Sequence, residues 1–328
     1  MSIDKIRFRE LLKKFKQAKI LVVGDLILDQ FIWGDVTRIS PEAPVPVVHV
    51  QRESFMPGGA ANVACSVRDL QGSTAIAGTI GKDLWGRTLK NHLKRKADIK
   101  GVIVDRGRNT TLKTRIVARH QQVVRVDREH VATLSKNTAD KIISYIKKNV
   151  KSFKAIIIED YGKGVISPYL IKEILRIAKK RKLIITVDPK EEHFLNYKGA
   201  TCITPNQFEA EIAAGIKIVD KKTLDIAGKK LLKIMNLNAV LITRGEAGMA
   251  LFVRDKRPEY IPTRAQEVFD VSGAGDTVIG AFTLALSSGA SFFEAAHISN
   301  YAAGIVVGKL GVGSCSQKEL IEKFDKDS

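Results

Sequence analysis

The stretch Asp270-Val-Ser-Gly-Ala-Gly-Asp276-Thr-Val-Ile-Gly280 holds the residue types that phosphoryl chemistry needs. A strand-like run, Glu267-Val-Phe-Asp270, precedes it, and the uncharged residues 277–293 read as one buried helix. The glycines between them let the chain turn tightly and let a ligand approach the backbone closely. A glycine turn feeding a helix points unpaired N–H groups at one spot, where the helix dipole adds partial positive charge. That is an anion hole suited to a phosphoryl group in transfer. Asp276 stands at its mouth, placed to accept a proton from an attacking hydroxyl. The alternative is that Asp276 is only a helix cap.

Four further stretches carry candidate chemistry. Pro57-Gly-Gly-Ala-Ala-Asn62 precedes a helical pattern, and its Asn62 can both donate to and accept from sugar hydroxyls. It could equally be a structural helix start. Asp188-Pro-Lys190 offers a cation after a strand, to neutralise phosphate or simply to face solvent. In Thr204-Pro-Asn206-Gln-Phe-Glu209, Asn206 and Glu209 could orient a hydrated magnesium ion, or form a cap with a reciprocal acid three residues on. Thr243-Arg-Gly-Glu-Ala-Gly248 could set backbone amides near a nucleotide, or be a plain hairpin turn. A phosphate-loop reading of Gly107-Arg-Asn-Thr-Thr-Leu112-Lys113-Thr114 fails because Leu112 stands where that loop requires glycine. No histidine pattern fits a zinc site.

Positioning these residues requires a sheet. The apolar run Lys19-Ile-Leu-Val-Val-Gly-Asp25 reads as a buried strand, and similar runs recur at 155–159, 183–188, 200–204 and 239–243. Amphipathic segments such as 167–181 and 222–235 separate most of them, which predicts an α/β fold with a parallel sheet covered on both faces. Ligands bind such sheets beyond the carboxyl ends of the strands. Asp25, Asp160, Asp188, Asn206, Arg244 and Asp276 fall at or just after such ends. Residues 30–56 and 110–128 break the alternation and read as a small outlying sheet whose apolar face needs a cover.

Composition narrows the class. Three scattered cysteines (Cys65, Cys202, Cys315) argue for a reducing compartment and against a disulfide or zinc framework. The first residues alternate charge with Ile6, Phe8, Leu11, Leu12 and Phe15 at helical spacing, unlike a signal peptide, so a cytoplasmic location without a membrane span is expected. The formal charge of +19 favours anionic ligands, sugar phosphates and nucleotides included. Nucleic acid is the cross-class alternative, but the lysines are dispersed over helical patterns without a basic tail, so no nucleic-acid partner is expected.

Taken together, Gly58-Gly59-Ala-Ala-Asn62 and Asp270-Val-Ser-Gly-Ala-Gly-Asp276 resemble the two hallmarks of the ribokinase-like (PfkB) sugar-kinase family, in order and in separation. The resemblance spans essentially the whole chain. It implies a three-layer α/β/α sandwich around a mostly parallel sheet, one domain over 1–328, with a small β-sheet lid at about 31–56 and 109–129. It implies Asp276 as catalytic base and Gly273, Ala274 and Gly275 as the anion hole. Asp25, Gly59, Asn62 and Lys190 would hold the sugar, with Lys113, Arg115, Arg119 or Arg125 on its phosphate. Asn206, Glu209, Thr243, Gly245, Gly248 and Asn300 would serve ATP, and Glu209 would hold Mg²⁺ through water. A monovalent-cation requirement stays open. Ser272 replaces a frequent threonine but keeps the hydroxyl.

Within the family the likeness is strongest to the branch that phosphorylates the C1 hydroxyl of D-glycero-D-manno-heptose 7-phosphate for ADP-heptose and lipopolysaccharide-core biosynthesis. It rests on Thr37-Arg-Ile-Ser-Pro-Glu-Ala-Pro-Val-Pro-Val-Val48, Gln121-Gln122, Asp188-Pro-Lys190, Ala265-Gln-Glu-Val268 and Ala302-Ala-Gly-Ile-Val-Val-Gly-Lys-Leu-Gly311. Another sugar or nucleoside kinase of the family is the alternative. The absence of an H-x-G-H motif points to the stand-alone kinase, and the resemblance implies a homodimer through the lid.

Overall fold

The computed structural model describes residues 3–118, 121–265, 268–309 and 313–327. Arg119, Gln266, Glu267, Leu310 and Gly311, which figure in the sequence reading, lie outside the described residues. The chain runs through α1 (Lys5–Lys14), β1 (Lys19–Gly24), β2 (Leu26–Ile39), β3 (Pro46–Gly59), α2 (Ala60–Asp69), β4 (Ser73–Gly81), α3 (Leu84–Leu93), β5 (Asp98–Asp105), β6 (Thr111–Ala118) and β7 (Gln121–Arg128). It continues with α4 (Lys136–Asn149), β8 (Ala155–Glu159), α5 (Pro168–Arg181), β9 (Ile184–Asp188), β10 (Cys202–Ile203), α6 (Gln207–Ala214), α7 (Lys221–Ile234) and β11 (Ala239–Thr243). Last come β12 (Met249–Val253), β13 (Glu259–Ile261), α8 (Ala274–Ser287), α9 (Phe292–Val306) and α10 (Gln317–Asp327).

The large sheet has the order β13-β12-β11-β10-β9-β8-β1-β4-β5. Every pair from β11 to β5 is parallel, while β12 and β13 add an antiparallel edge. The central strands are apolar on both faces because both are covered. In β1, Ile20 and Val22 pack into one core with α2, α8 and α9, while Leu21 and Val23 pack into the other with α4, α5 and α7. Helices on both faces make the expected α/β/α sandwich.

A second sheet, ordered β3-β2-β6-β7, forms the lid. Its two long strands grow out of the core, since β2 begins one residue beyond Asp25 and β3 runs directly into α2. Burial fades along β2 from Leu26 outward, and all of β7 is exposed. The sequence reading located these strands and missed their rooting in the core.

Two expectations need correction. Residues 277–293 are not one helix: α8 stops at Ser287, Gly289 takes φ 91°, and α9 starts at Phe292 under a Ser291–Glu294 capping box. Residues 268–270 are irregular rather than a strand; the amides of Phe269 and Asp270 both donate to the carbonyl of Val307. Among the described residues no helix is long and apolar enough to cross a membrane.

Candidate active site

Gly273, at φ 79°, turns the chain into α8, a backbone state that suits glycine. Asp276 therefore lies in the first turn of an otherwise apolar helix, and it is only 3% exposed. Its carboxylate is held at both oxygens: the Asn62 amide donates to Oδ2 at 2.6 Å and the Tyr161 hydroxyl to Oδ1 at 2.8 Å. Burial pushes the Asp276 carboxyl up to about 6, against the pull of those two hydrogen bonds; Asp29 adds to the rise and Lys113 opposes it. A buried base that is still charged at neutral pH results. The Ala274 amide closes the turn onto the Val271 carbonyl at 3.2 Å, so that group is already engaged. The amides of Gly275 and Asp276, in the first helical turn, keep no intrahelical acceptor by helix geometry.

Two cavities meet at this turn. One, of about 200 Å³, is lined by Asp29, Asn62, Lys113, Arg115, Tyr161 and Asp276, with Gly59 in its floor. The other, of about 280 Å³, is lined by Asp188, Lys190, Asn206, Glu209, Thr243 and Gly275. Tyr161 borders both. In the first, Arg115 pairs with Asp29, and Lys113 lies 5.2 Å from the centre of the Tyr161 ring. The paired glycines are explained here: a Cβ on Gly58 would sit 2.1 Å from the Asp29 carboxylate, and Gly59 takes φ 55° as it caps α2.

The expected residues divide among these places. Asn62 and Gly59 lie in the first cavity. Asp25 does not line it: it is buried and accepts from the backbone amides of Tyr161, Lys163 and Val165, which fixes the loop after β8. Asp29, four residues later, takes the cavity position. Lys190 stands in the second cavity, paired with Glu191 at 2.7 Å, apart from Asn62. Asn206 and Glu209 form the full reciprocal capping box, with Glu209 accepting from the Asn206 amide at 2.8 Å. Thr243 lines the second cavity, and Gly245 has open space around it, whereas Gly248 packs against the Ile261 carbonyl in the β11–β12 hairpin. Asn300 is buried and donates to the Pro262 carbonyl at 2.7 Å, a structural tie between α9 and the segment after β13.

Tyr161 and Glu159 were not among the residues expected from sequence, although both obey the rule that singled out Asp160: they flank the carboxyl end of β8. Glu159, Asp188 and Asp276 approach one another so closely that one carboxylate oxygen of each lies within 4.8 Å of the others. Burial, with Asp188 and Asp276 nearby, pushes Glu159 well up, and burial with the charges of Glu209 and Asp276 pushes Asp188 to about 8.

A doubly covered, mostly parallel sheet, a small lid sheet rooted in it, and a buried carboxylate beside helix-turn amides between two polar cavities define a small-molecule phosphotransferase of ribokinase-like fold. The chain belongs to the pfkB family of carbohydrate kinases, which matches residues 17–319. It is 44% identical over 302 residues to the bifunctional protein HldE of Geobacter sulfurreducens, covering 92% of this chain and 62% of that protein. To the bifunctional protein HldE of Geobacter metallireducens it is 45% identical over 307 residues, covering 93% and 63%. The chain thus spans less than two thirds of the length of these relatives. Among solved structures it resembles Escherichia coli phosphofructokinase-2 in complex with substrates and products (TM-score 0.79, 18% identity, 94% of this chain and 99% of that one). It also resembles Arabidopsis thaliana ribokinase complexed with ribose and ATP (TM-score 0.75, 18% identity, 93% and 98%).

Proposed function

We propose that the chain phosphorylates the C1 hydroxyl of D-glycero-D-manno-heptose 7-phosphate with ATP, giving heptose 1,7-bisphosphate for ADP-heptose and lipopolysaccharide-core biosynthesis. The observation that carries it is the Asp276 carboxylate, clamped between Asn62 and Tyr161 where a cation-bearing cavity meets a second one at the α8 turn. The likeness to HldE proteins and the branch-specific motifs support the heptose substrate.

In this reading the sugar lies in the first cavity. Asp29 and Asn62 meet its hydroxyls, and Lys113 and Arg115 face its 7-phosphate, cations suited to an anion that a non-phosphorylated sugar lacks. The nucleotide takes the second cavity, with Lys190, Asn206, Thr243 and Gly245 around its phosphates. Asp276 receives the hydroxyl proton as the oxygen attacks, and the free amides of the α8 turn meet the charge on the phosphoryl group. A divalent ion would neutralise phosphate charge here, and the orphaned carboxylate of Glu159 beside Asp188 shows a donor set that fits one. The enzyme works in the cytoplasm as a dimer that covers the lid, where Val50, Val124 and Val126 are each about half exposed.

Measuring ADP release with heptose 7-phosphate, fructose 6-phosphate and ribose tests the assignment. The heptose phosphate should give the highest kcat/KM. Preference for either of the others would transfer the enzyme to another branch of the family.

A further inference from the structure

Adjacent parallel strands in register end side by side, and β8 and β9 are paired with Glu159 directly opposite Asp188. Both side chains therefore leave the sheet on one face, at its carboxyl edge. The start of α8 packs on that face and adds Asp276. Among the described residues no lysine or arginine forms an ion pair with any of the three. Glu159 is 0% exposed, and neither of its carboxylate oxygens has a hydrogen-bond partner. Two facing carboxylates can bond to each other only by sharing a proton, so this is a buried acidic cluster with no ion-paired cation among the described residues. Leaving such groups ionised and unpaired in a dry interior is strongly unfavourable.

We propose that Glu159, Asp188 and Asp276 form a divalent-cation site that fills without nucleotide or sugar, with Glu159 as the ligand that creates it. The all-oxygen donor set selects hard ions, Mg²⁺ or Mn²⁺, over zinc or copper. Glu209 is not part of it: it lies outside the cluster in which one oxygen of each carboxylate is within 4.8 Å of the others, and its Oε2 accepts from the Asn206 amide in the α6 cap. Asp276 can join and still act as a base: Asn62 and Tyr161 each take one lone pair of one oxygen, which leaves one on each. The site would place an ion at the junction of the two cavities before the nucleotide arrives. It depends on the three carboxylates alone, so it stands or falls separately from the choice of sugar.

The test is a Mn²⁺ titration of the nucleotide-free and sugar-free protein at pH 8, followed by the EPR signal of the free ion. One saturable site is expected. Glu159→Gln should weaken it by at least the roughly 10- to 100-fold that loss of even an outer-shell partner costs. Asp188→Asn should weaken it likewise, and Glu209→Gln, which removes a neighbouring charge but no ligand, should weaken it far less than either. The wild-type melting temperature should rise with Mn²⁺ while that of Glu159→Gln does not, a readout that also shows the variant is folded. Absence of saturable binding at pH 8 would mean that shared protons alone fill the site. That result, or Glu159→Gln binding as tightly as wild type, overturns the proposal.

Discussion

Asp276 is held in a state that helps chemistry and costs stability. Its carboxyl sits at about 6 against an ordinary 3.8, so the folded protein binds that proton more tightly than the unfolded chain does. The penalty of the buried charge is therefore full above pH 6 and fades as the pH falls toward 4. For catalysis the requirement is opposite, because only the carboxylate can accept a proton. kcat/KM should fall on the acid side as Asp276 protonates, at about pH 6 for the ion-free carboxyl and lower with a divalent ion beside it. Tyr161→Phe removes a donor that favours the charged form, so the acid limb should move to higher pH in a pH–rate profile. Asn62, Asp29, Lys113, Asp188 and Glu159 face the same carboxylate and stay in place. An unmoved limb would show that Tyr161 is only part of the cavity wall. At this scale the sequence was informative about type and not about partner. Asp276 and Asn62 were legible because glycines announce them. Asp25 was expected to hold the sugar, but its carboxylate is taken by loop amides and Asp29 in β2 lines the cavity; a sequence does not give the side-chain direction that separates the two.

Strands and helices convert these residues into a site through a few close approaches. A side chain at Gly58 would strike the Asp29 carboxylate and, through it, the Arg115 pair. Gly58→Ala should raise the sugar KM by about 10-fold or more while melting changes little, a split that steady-state kinetics and calorimetry resolve; misplacement of about 1 Å can cost two orders of magnitude. Equal loss of stability and activity would instead make it a folding glycine. The parallel strands were readable in sequence because burial on both faces leaves continuous apolar runs. The stop of α8 at Ser287 was not, since an uncharged run carries no end signal when the next helix is also buried. The long roots of β2 and β3 were hidden for a related reason: a strand that passes from core to lid changes its pattern midway.

For the molecule as a whole, the charge of +19 is spread over helix faces, and two lysines and an arginine converge on the first cavity's rim or the second's lining. Raising ionic strength should therefore weaken substrate binding rather than expose a nucleic-acid activity. Tight, salt-sensitive binding to duplex DNA, unaffected by Asp276→Asn, would favour the other class. Among the described residues the lid carries Val50, Val124 and Val126 about half exposed, and this motivates the proposed dimer. Replacing Val124 and Val126 by Asp should convert a sedimenting dimer to a monomer; a monomeric wild type would remove that reading. The lid was visible in sequence as broken alternation, whereas a single chain's sequence does not specify what covers it.

The most direct measurement is turnover and melting temperature of Asp276→Asn at pH 8, side by side with wild type. Loss of the base predicts a kcat lower by about 10²- to 10⁴-fold. Loss of the buried charge predicts a melting temperature equal to or above wild type, with the difference shrinking toward pH 4. Turnover near the wild-type level in a folded variant would contradict the assignment of Asp276 as the proton acceptor.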